Sequence, residues 1–449
     1  MRPPDRAYST GSTSVRLTRA LVRYARTFTG FERDARIFLL ASVAFGIVFS
    51  LWWVDFNLYL TALGYEPAFI GLAGAAWSLA GVLVALPLSL ASNRLGRLLV
   101  MVVGAVVAAI SAACLIVFTG PAAIIAGSAA MGAASQTFFV LQSPLLMEHS
   151  RPEHRNELFS LQAAIMPATN IGAALLGGLV AVVIGTVIGV ESSDPAVYRA
   201  LLALMTIAAV LAGVAIAALH DDRPRPSKTA KPKVTERPRS LRSRFPRLSD
   251  PGTFVRLLVP NFLIALGAGQ VIPYLNVFIE GKFGLDLTAL NLIFAITGLG
   301  TVLAMMAQPA LAKRFGKVGT VVLVQGLSIP FLLVLGFSPI LWTVIVAMTV
   351  RNSLMNSGHP LANAFAMERL PASERATYAA AASLLWSLAW AVAGPWYSLL
   401  QARLGFDGGY TVNFVTVIVL YTFGTWLYWH WFHGVEASPT KEPDRRGSH

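Results

Sequence analysis

The pentad Asn93-Arg94-Leu95-Gly96-Arg97 has a near copy 220 residues later, Lys313-Arg314-Phe315-Gly316-Lys317, in a chain of 449 residues. Other landmarks repeat at the same offset: Gly64 and Gly284, Met147-Glu148 and Met367-Glu368, Arg155 and Arg375. Landmarks that share one register predict an internal duplication of about 220 residues. We therefore expect two similar halves.

The composition is that of a membrane protein. The chain is 55% hydrophobic and 13% charged, whereas a soluble domain carries about 25% charged residues. The charges lie between apolar runs such as 98–118, and runs near 20 residues match the thickness of a bilayer. Period-2 segments typical of a transmembrane barrel are not evident, so the spans are predicted to be helices. The sequence thus predicts an all-α, integral, multi-pass protein of the cell (inner or plasma) membrane.

Twelve spans are predicted, six in each half. The first six are 36–62, 68–91, 97–119, 121–147, 156–186 and 198–219, and the second six are 253–280, 288–311, 317–337, 339–367, 374–401 and 409–433. The predicted units are a basic arm (1–35), the first half (36–219), a linker (220–252), the second half (253–433) and a tail (434–449). Of 35 Lys and Arg, 30 lie in the arm, the tail and the loops after even-numbered spans, which places both termini in the cytoplasm.

The basic charge points to lipid rather than nucleic acid. The net charge is +13, but its carriers flank the predicted spans, so no nucleic-acid partner is expected. The Pro-rich linker suits anionic headgroups of the inner leaflet, although a plain flexible connection is the simpler interpretation. Residues 14–28 fit an amphipathic interfacial helix or a disordered arm. We expect a monomer.

With these pentads and spans the chain resembles the major facilitator superfamily over nearly its whole length, from about residue 36 to 433. The superfamily's loop signature is Gly-x3-Asp-Arg-x-Gly-Arg, and this chain keeps Arg94, Gly96 and Arg97 but has Ser89 and Asn93 at the first two positions. The resemblance implies two six-helix halves that open alternately to either side. It also implies a cytoplasmic latch that breaks on inward opening, formed by Asn93, Arg94, Gly96 and Arg97 with Glu148 and Arg155, and by Arg314, Gly316 and Lys317 with Glu368 and Arg375. Charged helix ends form such bonds readily, but simple positive-inside topology explains the same residues.

The resemblance implies that helices 1, 4, 7 and 10 line a central cavity. In helix 10, Asn352, Asn356 and His359 recur on one face together with Asn363. In helix 4, Gln136 is the repeat counterpart of Asn356. Polar groups are costly in lipid, so this stripe predicts either a cavity wall or hydrogen bonds between helices.

Two ionisable residues lie within apolar helices. Asp55 shares a face of helix 1 with Trp52 and Tyr59, and Arg351 lies in helix 10. Such residues are usually functional. Three interpretations stay open: a pair that rearranges during transport, an anion site at Arg351 with a proton site at Asp55, or a structural ion pair.

Other candidate substrate contacts are Asn276 in helix 7, Asn170 in helix 5, and Trp386 and Trp390 in helix 11. The two tryptophans fit either an aromatic wall or ordinary packing.

The sequence therefore predicts a secondary active transporter of a small organic solute, with a proton as the expected coupling ion and export as the preferred direction. No enzyme motif, cofactor site or metal-ligand spacing is evident. Uptake of an anionic metabolite through Arg351 is the first alternative. A transport-inactive sensor or lipid-handling protein is the second.

Overall fold

A computed structural model describes residues 31–148, 155–220 and 248–434. These residues are helical, with no strand among them. The helices are α1 (Arg33–Ala62), α2 (Pro67–Leu95), α3 (Arg97–Val117), α4 (Pro121–Glu148), α5 (Arg155–Ile188), α6 (Pro195–Ala217), α7 (Pro251–Val271), α8 (Leu275–Phe283), α9 (Leu287–Phe337), α10 (Leu341–Arg369) and α11 (Ala372–Phe432), with a 3-10 turn at Ile272–Tyr274 between α7 and α8. The amphipathic helix and nearly all of the arm, the linker and the tail lie outside the described residues, so the predicted lipid contacts stay predictions.

Ten helical segments of the described chain are long and apolar enough to cross a membrane. The two longest helices are bent by glycines. In α9, which has 51 residues, Gly316 has a φ of 70°. In α11, which has 61 residues, Gly405 has a φ of 69°. Since 51 residues of helix span about 77 Å and a hydrocarbon core is about 30 Å thick, each of these helices is long enough for two crossings. The structure confirms an all-α membrane architecture, while the count of twelve spans and the placement of the termini stay predictions.

Glycine backbone conformations follow the 220-residue register. Gly64 and Gly284 both have positive φ, 84° and 64°, and so do Gly96 and Gly316, at 94° and 70°. Positive φ favours glycine because a Cβ would clash there. The same turns therefore end corresponding helices in both halves, as a duplication predicts. Following the predicted orientation, we call the end of the bundle that carries Gly64 and Gly284 the outer end.

Proline interrupts the seventh predicted span. The helix gives way to a 3-10 turn at Ile272–Tyr274 because Pro273 lacks an N–H and its ring clashes with the preceding helical turn. The break matters for the site, since the Pro273 carbonyl at the break accepts a hydrogen bond from another helix.

The two halves approach closely near the outer end. A Cβ on Gly394 of α11 would lie 2.9 Å from the Cβ of Ala75 in α2, and a Cβ on Gly71 would lie 2.7 Å from the Tyr397 ring. A Cβ on Gly74 would lie 2.6 Å from the Tyr274 hydroxyl. Glycine at these positions lets α2 pack directly against the second half.

Candidate substrate cavity between the halves

Asparagine side chains join the two halves across the outer end. The Asn57 Nδ2 of α1 donates to the Pro273 carbonyl and, at 3.5 Å, to Asn276 Oδ1. Asn276 is buried, and its Nδ2 donates back to the Val54 carbonyl at 2.7 Å. We call Asn57, Pro273, Asn276 and Val54 the outer clasp. Because it satisfies backbone carbonyls of both halves, opening the outer end must break several hydrogen bonds together.

Three tyrosines extend the clasp. The Tyr274 and Tyr397 rings stack at 3.8 Å, and the Tyr397 and Tyr410 hydroxyls lie 2.7 Å apart. Tyr410 donates to the Tyr274 carbonyl at 3.1 Å, and Tyr274 donates to the Gly71 carbonyl at 3.4 Å. The outer closure is therefore a layer of hydrogen-bonded side chains several residues wide.

Three tryptophans lie inward of this layer, and we call them the tryptophan wall: Trp53, Trp77 and Trp390. The Trp53 ring lies 5.3 Å from the Trp390 ring of the other half and 6.4 Å from the Trp77 ring. They line a cavity between the halves, whose empty space is about 480 Å³ with the open solvent at its mouth included. Its other lining residues are Trp52, Phe56, Asn57, Ala73, Gly74, Ser78, Gly269, Pro273 and Tyr274.

Aromatic contacts continue from these tryptophans into both halves. In the first half, Phe49 lies 5.8 Å from Trp53 and 5.3 Å from Phe139 of α4. In the second half, Trp386 lies 6.1 Å from Trp390 and 5.0 Å from His359 of α10. The structure thus brings the predicted residues Trp386, Trp390 and His359 into one continuous series of rings with α1.

Asp55 lies at the contact between the halves. It is 3% exposed, and its Oδ1 accepts from Asn291 of α9 at 2.9 Å. Its Oδ2 is buried without a partner. Trp52 and Tyr59 join it around a separate cavity of about 230 Å³ against α6. The Tyr59 hydroxyl donates to the Leu115 carbonyl of α3 at 2.9 Å, so the predicted substrate contact at Tyr59 packs within the first half.

Arg351 is turned toward its own half. It is 4% exposed, and it donates to the Tyr421 hydroxyl at 2.6 Å and to Asn352 Oδ1 at 2.8 Å. Asp55 and Arg351 therefore have different partners, and they form no ion pair in this conformation of the described chain.

The predicted polar stripe leads from the cavity toward the inner end of α10. Asn352 and His359 are half-buried, and Asn356 is exposed with its Nδ2 donating to the Asn352 carbonyl at 2.9 Å. Asn170 of α5 is also exposed, and Gln136 is half-buried against α2 at Gly81. These residues lie inward of the tryptophans rather than around a single ligand-sized space.

The second copy of the predicted latch is closed within one half. Lys317 forms an ion pair with Glu368, while Arg375 donates to the Leu370 carbonyl at 3.1 Å and Arg314 packs on the Phe315 ring. In the first copy Arg94 is exposed, and the side chains of Asn93, Glu148 and Arg155 lie outside the described set. The Lys317–Glu368 pair coexists with a closed outer end, and the gating role of both copies stays a prediction.

Sequence reasoning missed four residues of the site. Asn57 and Asn291 carry the cross-half hydrogen bonds, and Trp53 and Trp77 form most of the tryptophan wall. The spacing of Trp53 and Asn57, four apart on α1, was the available signal.

Comparison with known proteins settles the family. The family model described as Major Facilitator Superfamily matches residues 38–394. The chain belongs to this superfamily. The match confirms the resemblance of the pentads and, with the helices above, an integral, multi-pass membrane protein of the transporter class. We assign it to the plasma membrane. A comparison with curated proteins finds no match.

Solved superfamily transporters share the fold. A D-xylose-proton symporter superposes with a TM-score of 0.69 at 14% identity, over 88% of this chain and 96% of that chain. A bacterial homologue of the human lysosomal transporter Spinster, in an inward-facing and occupied conformation, gives 0.67 at 12%, over 88% and 95%. The nucleoside transporter NupG gives 0.64 at 13%, over 90% and 100%. At such identities the likeness concerns the fold alone.

Proposed function

We propose that this superfamily member is a secondary active transporter that carries a small organic solute by alternating access. The observation that supports it best is the closure between the halves on the outer side. The cross-half hydrogen bonds of the outer clasp and of Tyr274 lie in the outer part of the helices, and the Trp53–Trp390 ring contact lies nearer the middle. The polar stripe at the opposite end is exposed at Asn356 and Asn363. A cavity closed on one side and accessible from the other is what rocking halves require.

Proton coupling is proposed for Asp55. Burying a carboxylate with one oxygen unpaired costs less when the group carries a proton. Closing the outer end buries Asp55 against Asn291 of the other half, so closure and proton binding should favour one another. Opening the outer end would hydrate the carboxyl group and let it exchange its proton.

The contacts of Arg351 weaken the anionic alternative. Its guanidinium donates to Tyr421 and Asn352, and none of the residues that line the 480 Å³ cavity carries a basic side chain. We therefore propose an uncharged or weakly charged solute rather than an anionic metabolite.

The proposal is tested with purified protein in liposomes. Wild-type protein should accumulate a solute from a chemical panel when a pH gradient is imposed, and the side of accumulation gives the direction, for which we propose export. Asp55→Asn should keep solute exchange across the membrane and lose accumulation driven by the gradient. Asp407→Asn, at an exposed position near the outer end, is the matched control and should behave as wild type.

Two results would count against this proposal. Unchanged gradient-driven accumulation in Asp55→Asn would remove the coupling role. Tight binding of solutes with no flux in any format would favour a sensor on the same scaffold.

A further inference from the structure

The chemistry of the tryptophan wall indicates which class of ligand the cavity binds. This inference rests on the proposed transport function. Trp53 and Trp77 come from the first half and Trp390 from the second, with centroid separations of 5.3 and 6.4 Å. Their rings border the cavity between the halves. Flat aromatic surfaces of this kind favour a planar ring as ligand through offset or edge-to-face contacts.

Two indole N–H groups of the tryptophan wall lack hydrogen-bond acceptors. The indole Nε1 groups of Trp77 and Trp390 are both buried and have no hydrogen-bond partner in the described structure. An indole N–H is a donor only, and a buried donor without a partner is unfavourable. A ligand bound between these two rings would supply hydrogen-bond acceptors for both N–H groups.

The cavity also excludes several ligand classes. Its lining residues carry no acidic or basic side chain, so a charged ligand would enter without a counter-charge. An ammonium group is attracted to indole faces, but it offers only donors and would leave the N–H groups of Trp77 and Trp390 unpaired. A sugar carries more hydroxyl groups than Asn57 and Ser78 could satisfy.

We propose that the cavity binds an uncharged, planar heterocycle that carries at least two hydrogen-bond acceptors. The ring stacks against Trp53, and its acceptors accept hydrogen bonds from the N–H groups of Trp77 and Trp390. Asn57 and the rest of the outer clasp cover it from the outer side. The site belongs to both halves, so binding couples their positions.

Binding to the purified full-length protein in detergent tests the assignment. The probes are caffeine and lumichrome as uncharged heterocycles with carbonyl acceptors, tetraphenylphosphonium as an aromatic cation, benzoate as an anion and xylose as a sugar. We expect the two heterocycles to raise the thermal stability and to give saturable calorimetric binding, since a ligand of the folded state stabilises it by mass action. No binding by either heterocycle, or preferential binding of the cation, anion or sugar, would overturn the assignment.

Two variants test the donors. Trp77→Phe and Trp390→Phe keep a ring and remove the N–H, so each should weaken heterocycle binding about three- to tenfold. Trp342→Phe, on a side chain that is 68% exposed, should bind as wild type. Unchanged affinity in both site variants would overturn the roles of the N–H groups.

If a variant fails to fold, the requirement for acceptors can be tested on the wild-type protein by changing the ligand. Naphthalene offers a ring without acceptors and should bind at least about tenfold more weakly than lumichrome. Equal affinity would overturn the requirement for acceptors.

Solute counterflow in liposomes separates this inference from the proposed function. Heterocycle binding that depends on Trp77 and Trp390 without counterflow would support the site and contradict transport. Counterflow of charged solutes or sugars, with none of the heterocycles, would support transport and overturn the assigned ligand class.

Discussion

Arg351 lies inside the second half and contacts the Tyr421 hydroxyl and Asn352. Breaking these contacts leaves buried polar groups unpaired, so Arg351→Gln should destabilise the folded protein by about 1–3 kcal/mol. We expect lower thermal stability in detergent with little change in ligand affinity. Arg314→Gln, at an exposed position, is the control. Selective loss of anionic ligands at unchanged stability would instead place Arg351 in the binding site.

Gly132 is a second residue with a testable role, because a close contact between two helices there leaves no room for a side chain. A Cβ there would lie 2.0 Å from the Trp77 carbonyl oxygen, where α4 crosses α2. Backbone cannot move aside cheaply, so Gly132→Ala should cost about 1–3 kcal/mol of stability and displace Trp77. Gly172→Ala is the matched helical control, because nothing lies within 4 Å of its Cβ position. Thermal unfolding of both variants in detergent checks this. Equal stability would contradict the close approach of α2 and α4.

Among the elements, the outer clasp between α1 and α8 should control opening. Asn276→Leu removes the bond to the Val54 carbonyl and the contact with Asn57, so it should raise the outward-open population about three- to tenfold.

The readout is labelling of Ser78→Cys by a membrane-impermeant thiol reagent added on the outer side. The background is Cys114→Ala, since Cys114 is a free cysteine and exposed. Asn363→Leu, in the exposed inner stripe, should not change the labelling rate, and an unchanged rate in Asn276→Leu would remove the clasp from gating.

Elements that depend on a pattern within one helix were predictable. Apolar runs and the polar face of helix 10 arise from residues close together along the chain, and the 220-residue register is read by comparing the sequence with itself. Cross-half partners were not predictable, because a lone Asn57 or Asn291 in an apolar helix does not show which helix it will meet. The contact of Arg351 with Tyr421 was not predictable for the same reason, since the two residues lie 70 positions apart in the sequence.

At the scale of the whole molecule, the duplicated halves are joined at the outer end and in the middle of the described helices. The outer clasp, the tyrosine layer and the Asp55–Asn291 bond join them on one side, while the exposed polar stripe lies toward the other. If the halves rock about the tryptophan wall, loosening one side must tighten the other.

Distances between spin labels test this reciprocity most directly. One pair, Glu66→Cys with Arg403→Cys, reports the distance between the outer end of α2 and the outer bend of α11 near Gly405. A second pair, Leu95→Cys with Ala379→Cys, reports the distance between the inner end of α2 and the first turns of α11. All four positions are exposed. In the Cys114→Ala background, Asn276→Leu should add a longer population to the outer pair and a shorter population to the inner pair. Lengthening of the outer pair with an unchanged inner pair would contradict alternating access.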